Sequence, residues 1–242
     1  MVNHKNIIEV KNLVKKYGSF VANDNLTFEV KESEIFGFLG ANGAGKTTTL
    51  KILSGLSYPT FGDVNIAGFD VYREREKVKR NIGYMSQKFS LYEDLTVKEN
   101  IRFYGGIYGL SGRYIKEKTE DLLKRLKMED IKDKLINSLP LGWKQKIAFS
   151  VAIFHNPKIV FLDEPTGGVD PITRRDFWEM IYEASNTGIT VFVTTHYMDE
   201  AEYCDRVCIM DQGRIEAINT PSLLKKQYNA KNMDEVFIKI AR

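Results

Sequence analysis

Ile35-Phe36-Gly37-Phe38-Leu39-Gly40-Ala41-Asn42-Gly43-Ala44-Gly45-Lys46-Thr47-Thr48 is the stretch that decides how this chain is read. The apolar run 35–39 has the form of a buried strand, and residues 48–53 continue as a helix. Between them, Gly40 to Thr47 fit the phosphate-cradling pattern G-x-x-x-x-G-K-[ST]. Glycine reaches positive φ without strain, so successive backbone N–H groups can converge on an anion. The helix that opens next adds unpaired donors and the positive end of its dipole. Lys46 reaches toward the β- and γ-phosphates, and the Thr47 hydroxyl suits Mg²⁺. An ordinary glycine-rich turn is the plain alternative, and the strand-to-helix context argues against it.

A second stretch complements the first. Ile159-Val160-Phe161-Leu162 is a near-continuous apolar run, the pattern of a parallel strand covered on both faces, and it ends in Asp163-Glu164. Asp163 is placed to hold Mg²⁺, directly or through water. Glu164, one residue on, is placed to polarise an attacking water as general base. Alone, an apolar run followed by two acids is weak evidence; the glycine-rich loop upstream gives it meaning.

Working outward, residues 7–17 and 26–30 read as strands on either side of a polar turn at Asn23-Asp24-Asn25, forming a small antiparallel layer. Residues 58–63 read as a turn, 64–66 as a short strand, 73–80 as a solvated helix and 82–85 as a strand leading to Gln87. From about 90 to 155 the pattern turns helical (97–108, 115–126 and 143–154), the signature of a helical subdomain inserted in an α/β core. The core resumes with the strand before Asp163, a helix over 171–185, a buried strand over 190–194 and a short helix over 198–203. Strands over 207–210 and 214–218 flank a hairpin turn at Asp211-Gln212-Gly213. Pro221 opens a final helix, and 234–240 has no clear form. The expected division is a domain over 1–220 with a C-terminal helical extension over 221–242.

The chain has 242 residues, 43% of them hydrophobic, which suits one large α/β domain with a real core. Its formal charge of +3 is too small to argue for nucleic acid. Cys204 and Cys208 make neither a disulfide framework nor a four-ligand zinc site and read as buried residues of a reduced, intracellular protein. No apolar run approaches the ~20 residues of a membrane span.

In their order, these motifs resemble the nucleotide-binding subunit of ATP-binding-cassette (ABC) transporters over nearly the whole chain. The resemblance implies a P-loop ATPase of ABC type that uses ATP and Mg²⁺. Tyr17 stands where the family stacks an aromatic on adenine, and Gln87-Lys88-Phe89-Ser90-Leu91-Tyr92 is similar to its Q-loop. Val169-Asp170, with Gly168, looks like the D-loop, and His196 the switch histidine. On this resemblance Glu164, His196 and Gln87 are catalytic. Tyr17, the loop Gly40, Ala41, Asn42, Gly43, Ala44, Gly45, Lys46, Thr47 and Thr48, and Asp163 bind nucleotide. Thr47, Gln87 and Asp163 hold Mg²⁺. Plainer readings stand beside these: Tyr17 as a packed strand-end aromatic, Gln87 as a solvated loop residue, His196 as a structural histidine.

The signature departs from the family. The usual Leu-Ser-Gly-Gly-Gln becomes Leu139-Pro140-Leu141-Gly142-Trp143, and Pro140 has neither the serine hydroxyl nor an N–H. Gly167 replaces the D-loop serine. This form is similar to a subgroup of bacterial exporter ATPases with separately encoded permeases. The resemblance implies permease partners, a second ATPase subunit of the same kind, no nucleic acid, and a place on the cytoplasmic face of the membrane. The loop after Gln87, with Phe89, Leu91 and Tyr92, would touch the permease. Two rivals are weaker. A soluble ABC ATPase acting on DNA or ribosomes usually carries long coiled coils or a second cassette. A GTPase should show Asn-Lys-x-Asp, which is missing here.

Overall fold

The computed structural model describes residues 5–88 and 91–240. The chain opens with β1 (Asn6–Tyr17) and β2 (Phe20–Lys31), then β3 (Ile35–Gly40), α1 (Lys46–Leu53), β4 (Phe61–Ile66) and β5 (Phe69–Asp70). After α2 (Arg75–Asn81) and β6 (Ile82–Met85) come α3 (Val97–Ile107), α4 (Gly112–Leu126) and α5 (Leu141–Ala152). β7 (Ile159–Asp163), α6 (Pro171–Asn186), β8 (Thr190–Thr195), β9 (Arg206–Asp211) and β10 (Arg214–Asn219) follow, then α7 (Pro221–Gln227) and α8 (Met233–Ile240).

The expected α/β architecture is present. One sheet runs in the order β10-β9-β3-β8-β7-β6, parallel except for the β9–β10 hairpin. A second, antiparallel sheet runs β2-β1-β4-β5. Side-chain alternation along the parallel strands divides the interior in two. Phe36, Phe38, Phe161, Phe192 and Cys208 face the antiparallel sheet and α1. Ile35, Leu39, Val160, Leu162, Val191 and Val193 face the helices. Both faces are covered, so the strands read as unbroken apolar runs.

Four local expectations need correction. Asn23-Asp24-Asn25 is not a turn: β2 runs through it, with irregular pairing to β1 and Asn25 at φ 56°. Its polarity comes from partners elsewhere, since Asn23 reaches the glycine-rich loop and Asp24 pairs with Arg214 at 2.6 Å. Residues 61–63 belong to β4 rather than to a turn; Gly62 adopts φ 94° where a Cβ would stand 2.4 Å from the Asn12 carbonyl oxygen. The helix expected from 143 begins at Leu141, with Pro140 at its cap position, because proline's fixed φ is compatible with a helix entrance. The formless 234–240 stretch lies in α8, whose Met233 and Val236 are buried with the helical core. The hairpin turn is as expected, with Gln212 at φ 44° and Gly213 at φ 79°, the left-handed pair that a two-residue hairpin requires.

Between β6 and β7 the helical stretch is fastened to the sheet by His155. Its ring stacks on Tyr108 with centroids 3.5 Å apart, and Nε2 lies 3.0 Å from the Ile82 carbonyl oxygen. Burial pushes its pKa down to about 4. The folded chain therefore favours the neutral ring, and stability is fully present above the unfolded value of about 6.5 and is lost as pH falls toward the folded value. A thermal melt should drop more between pH 7 and pH 5 for the parent than for His155→Phe. Equal drops would contradict the assignment.

Candidate functional site

The carboxyl-terminal ends of β3, β7 and β8 and the loop after β6 meet at one point. β3 delivers the glycine-rich loop, in which Gly43 (φ 85°) and Gly45 (φ 98°) take left-handed conformations. At Gly45 a Cβ would stand 2.5 Å from the Ala22 carbonyl oxygen, so no larger residue fits. The loop is braced from outside. Asn23 Nδ2 donates to the Gly45 carbonyl at 3.2 Å and to Thr49 Oγ1 at 3.0 Å, and Gly213 N–H donates to the Ala44 carbonyl at 3.1 Å.

Lys46 is 4% exposed. Its Nζ donates to the carbonyls of Gly40 at 2.8 Å and Ala41 at 3.1 Å, and lies 3.6 Å from Glu164 Oε1. Burial holds its pKa below the ordinary lysine value, and the neighbouring Glu164 charge works against that fall. Asp163, also 4% exposed, accepts from Thr194 Oγ1 at 2.8 Å and from Thr47 Oγ1 at 3.4 Å. Burial pushes its carboxyl up.

Glu164 sits at φ 47°, an uncommon backbone position outside glycine that is worth attention at functional sites. Gln87 Nε2 donates to its Oε2 at 2.9 Å, and His196 Nδ1 lies 3.2 Å from the same oxygen without hydrogen-bond alignment. The structure thus brings Lys46, Thr47, Gln87, Asp163, Glu164 and His196 together. A buried carboxylate with two hydroxyls on it is a hard-oxygen donor set that fits Mg²⁺. Among the described residues there is no cluster of three or more His, Cys, Asp or Glu side chains suited to a metal.

Other expected residues stand apart. Tyr17, at the end of β1, is 52% exposed, with Lys15 Nζ 4.9 Å from its ring centroid. Pro140 caps α5, and the N–H groups of Trp143 and Lys144 are taken up by its carbonyl at 3.1 Å. Gly142 therefore lies inside the first turn rather than before the helix, and a Cβ there would stand 2.5 Å from Thr173 Cγ2 on α6. Asp170 caps α6, accepting from Ile172 and Thr173 N–H at 3.0 Å. Gly168 (φ 79°) packs near Leu141. Leu139 is buried, while Leu141 and Trp143 are exposed. Phe89 lies outside the described residues.

Sequence reasoning missed Thr194, which ties Asp163 to β8 and whose oxygen also accepts from Glu164 N–H at 3.2 Å. A threonine in a buried strand before a histidine was its only signal.

A glycine-rich loop, a strand-end carboxylate pair and converging Gln and His side chains define a P-loop nucleotide-binding site. The comparisons with known proteins agree. Residues 23–167 match the family model described as "ABC transporter". The Escherichia coli (strain K12) protein named "Probable multidrug ABC transporter ATP-binding protein YbhF" is 49% identical over 91% of this chain. The chain spans 38% of that relative's length. The "Linearmycin resistance ATP-binding protein LnrL" of Bacillus subtilis (strain 168) is 38% identical over 88% of this chain and 69% of its own. Among solved structures, an "ATP binding subunit of ABC transporter" superposes with a TM-score of 0.88 at 30% identity, covering 98% of this chain and all of its own. The chain belongs to the ABC transporter family and carries its ATP-binding cassette.

Thr194→Val keeps shape while removing the hydroxyl that serves the buried Asp163. Hydrogen bonds to charged groups contribute ~1.5–3 kcal/mol, so urea unfolding should register a loss of that size. An unchanged midpoint would contradict the geometry.

Proposed function

We propose that the chain binds and hydrolyses ATP, and that closure of two such cassettes around nucleotide drives substrate export through partner permease subunits. The observation that carries this reading is the convergence of Lys46, Gln87 and His196 on Glu164, next to the buried Asp163 that holds Thr47. Export is supported by the names of relatives, among them a Nod factor export ATP-binding protein from Burkholderia orbicola (strain AU 1054), 36% identical over 90% of this chain and 72% of its own length. Pairing is supported by a solved dimeric cassette in a post-hydrolysis state bound to ADP and phosphate, with a TM-score of 0.80 at 28% identity. None of the relatives named here is named for a role on DNA or ribosomes.

The chemistry follows from the placement. The loop N–H groups and Lys46 bind the phosphates, Lys46 exchanging neutral carbonyl partners for charged oxygens. Thr47, Asp163 and Gln87 would hold Mg²⁺, which neutralises charge on the phosphoryl oxygens. Glu164 takes a proton from water. Gln87 donates to its Oε2 and orients that carboxylate, and His196, 3.2 Å from the same oxygen, donates toward the γ-phosphate. Tyr17 offers an exposed ring for adenine. The signature Leu139, Pro140, Leu141, Gly142 and Trp143, with Gly168 and Asp170, faces the nucleotide of the second subunit, a second copy of this chain. The helix entrance at Leu141 and Gly142 supplies its donors.

No described helix is long and apolar enough to cross a membrane; as the relatives' names imply an ATP-binding subunit of a transporter, the cassette would sit peripherally on the permease, at the cytoplasmic face. The docking surface for the permease is the aromatic ridge beside the Q-loop. There Tyr92 and Phe103 are half exposed with ring centroids 4.7 Å apart, and Leu91 is buried beneath.

Glu164→Gln should slow hydrolysis by ~10²–10⁴-fold while ATP affinity holds, and the variant should accumulate as an ATP-bound dimer in size-exclusion chromatography. Parental turnover would move the base elsewhere. Lys46→Ala should lose binding and hydrolysis together, since ground and transition states lose the same cation; equilibrium binding of a fluorescent ATP analogue checks this. Normal binding would remove the phosphate cradle from the account. Gly142→Asp is a poor probe of the signature because of Thr173, so Pro140→Ser is preferred. It should add a cap hydroxyl and leave ATP turnover at or modestly above the parental rate.

A further inference from the structure

Glu200 is fully buried, yet it carries a carboxylate. Thr166 Oγ1 donates to its Oε1 at 2.5 Å, while its Oε2 is buried with no hydrogen-bond partner. Arg174 on α6 approaches with Nε 3.6 Å from Oε1, within ion-pair range but beyond hydrogen-bond length. The same guanidinium lies 4.3 Å from the Tyr197 ring centroid and donates to Asp199 at 3.3 Å. The Tyr197 ring in turn lies 4.1 Å from that of His196.

A buried, incompletely paired charge is a poor way to gain stability, and apolar replacements of such groups are often neutral or better. What this one does is geometric. Thr166 is two residues beyond Glu164, in a turn closed by Gly167 N–H donating to the Glu164 carbonyl at 3.2 Å. Glu200 is four residues beyond His196, in the 3₁₀ turn Met198–Tyr203. The bond from Thr166 to Glu200 therefore ties the turn that carries the left-handed Glu164 to the segment after His196, as the bond from Glu164 N–H to Thr194 ties it to the strand before His196. The side chains of Glu164 and His196 meet 3.2 Å apart.

We propose that Glu200 is a positioning residue of the hydrolytic site. Its buried carboxylate, gripping the Thr166 hydroxyl and paired with Arg174, locks the Glu164 turn against the His196 segment. The inference rests on the hydrolytic reading above. It predicts that loosening this bond misplaces the base without touching the phosphate cradle, and a misplacement of about 1 Å can cost ~10²-fold in rate.

The test is steady-state ATP hydrolysis by the whole chain, with kcat and KM measured separately for the parent, Thr166→Val, Thr166→Ser, Glu200→Gln and Glu164→Gln. Folded fraction is measured on the same samples by circular dichroism. Thr166→Val, nearly isosteric with threonine, should lower kcat per folded molecule by ~10–100-fold with KM within about threefold. Thr166→Ser should restore the rate. Glu200→Gln retains an acceptor for Thr166 but loses the pairing with Arg174, and should fall between. Parental kcat in Thr166→Val, a loss that only tracks the unfolded fraction, or no rescue by serine would overturn the proposal while Glu164→Gln remains inactive. Parental kcat in Glu164→Gln would overturn the hydrolytic reading, and the positioning role with it.

Discussion

An ammonium group held at 4% exposure needs oxygen partners, and Lys46 draws the site together to find them. Desolvation disfavours its charge, so two carbonyls of its own loop and the carboxylate of Glu164 are brought within 3.6 Å. Those partners come from β3 and from the end of β7, strands separated in the sheet by β8. The charge balance of one lysine thus requires the register of three parallel strands. The same lysine is attracted to phosphate oxygens for the same reason, since a triphosphate offers stronger acceptors than neutral carbonyls.

Around that constraint the fold divides its work. The parallel sheet presents chemistry at its strand ends and is held rigid by apolar packing on both faces, with the phenylalanine cluster on one side and the helical core on the other. The antiparallel sheet and the β9–β10 hairpin brace the glycine-rich loop from behind, through Asn23 and Gly213. Residues 91–152 carry the exposed aromatic ridge and the α5 entrance, the surfaces proposed for partners. Rigid support beneath a flexible glycine loop is how backbone donors become preorganised for an anion.

Much of this was legible in the sequence because its signals are local. The glycine spacing before Lys46, the unbroken apolar runs of β3, β7 and β8, and the carboxylate pair 163–164 each lie within a few residues, and periodicity places them. What escaped were polar residues whose partners are distant in sequence. Asn23-Asp24-Asn25 looked like a turn because its side chains have polar character. In the fold those side chains serve Gly45 and Arg214, 22 and 190 residues away. Thr166 and Glu200 gave no signal, and Thr194 only its place in a buried strand before a histidine, since a threonine in a strand or an acid in a helical turn is unremarkable until the chain is folded. Asp170 was read for its motif, and the fold assigns it a helix cap as well. The α5 helix starts two residues before its expected position because Pro140 serves as its entrance.

The central claim is that the nucleotide's phosphates are held by the loop between β3 and α1, against the ends of β7 and β8. Backbone amide hydrogen exchange on the whole chain, with and without ATP and Mg²⁺, addresses it directly. Residues 43–48 should gain the strongest protection, with smaller gains at 163–164 and around 196, and with the exterior of the antiparallel sheet unchanged. Protection confined to other segments, with residues 43–48 exchanging at their original rates, would contradict the account.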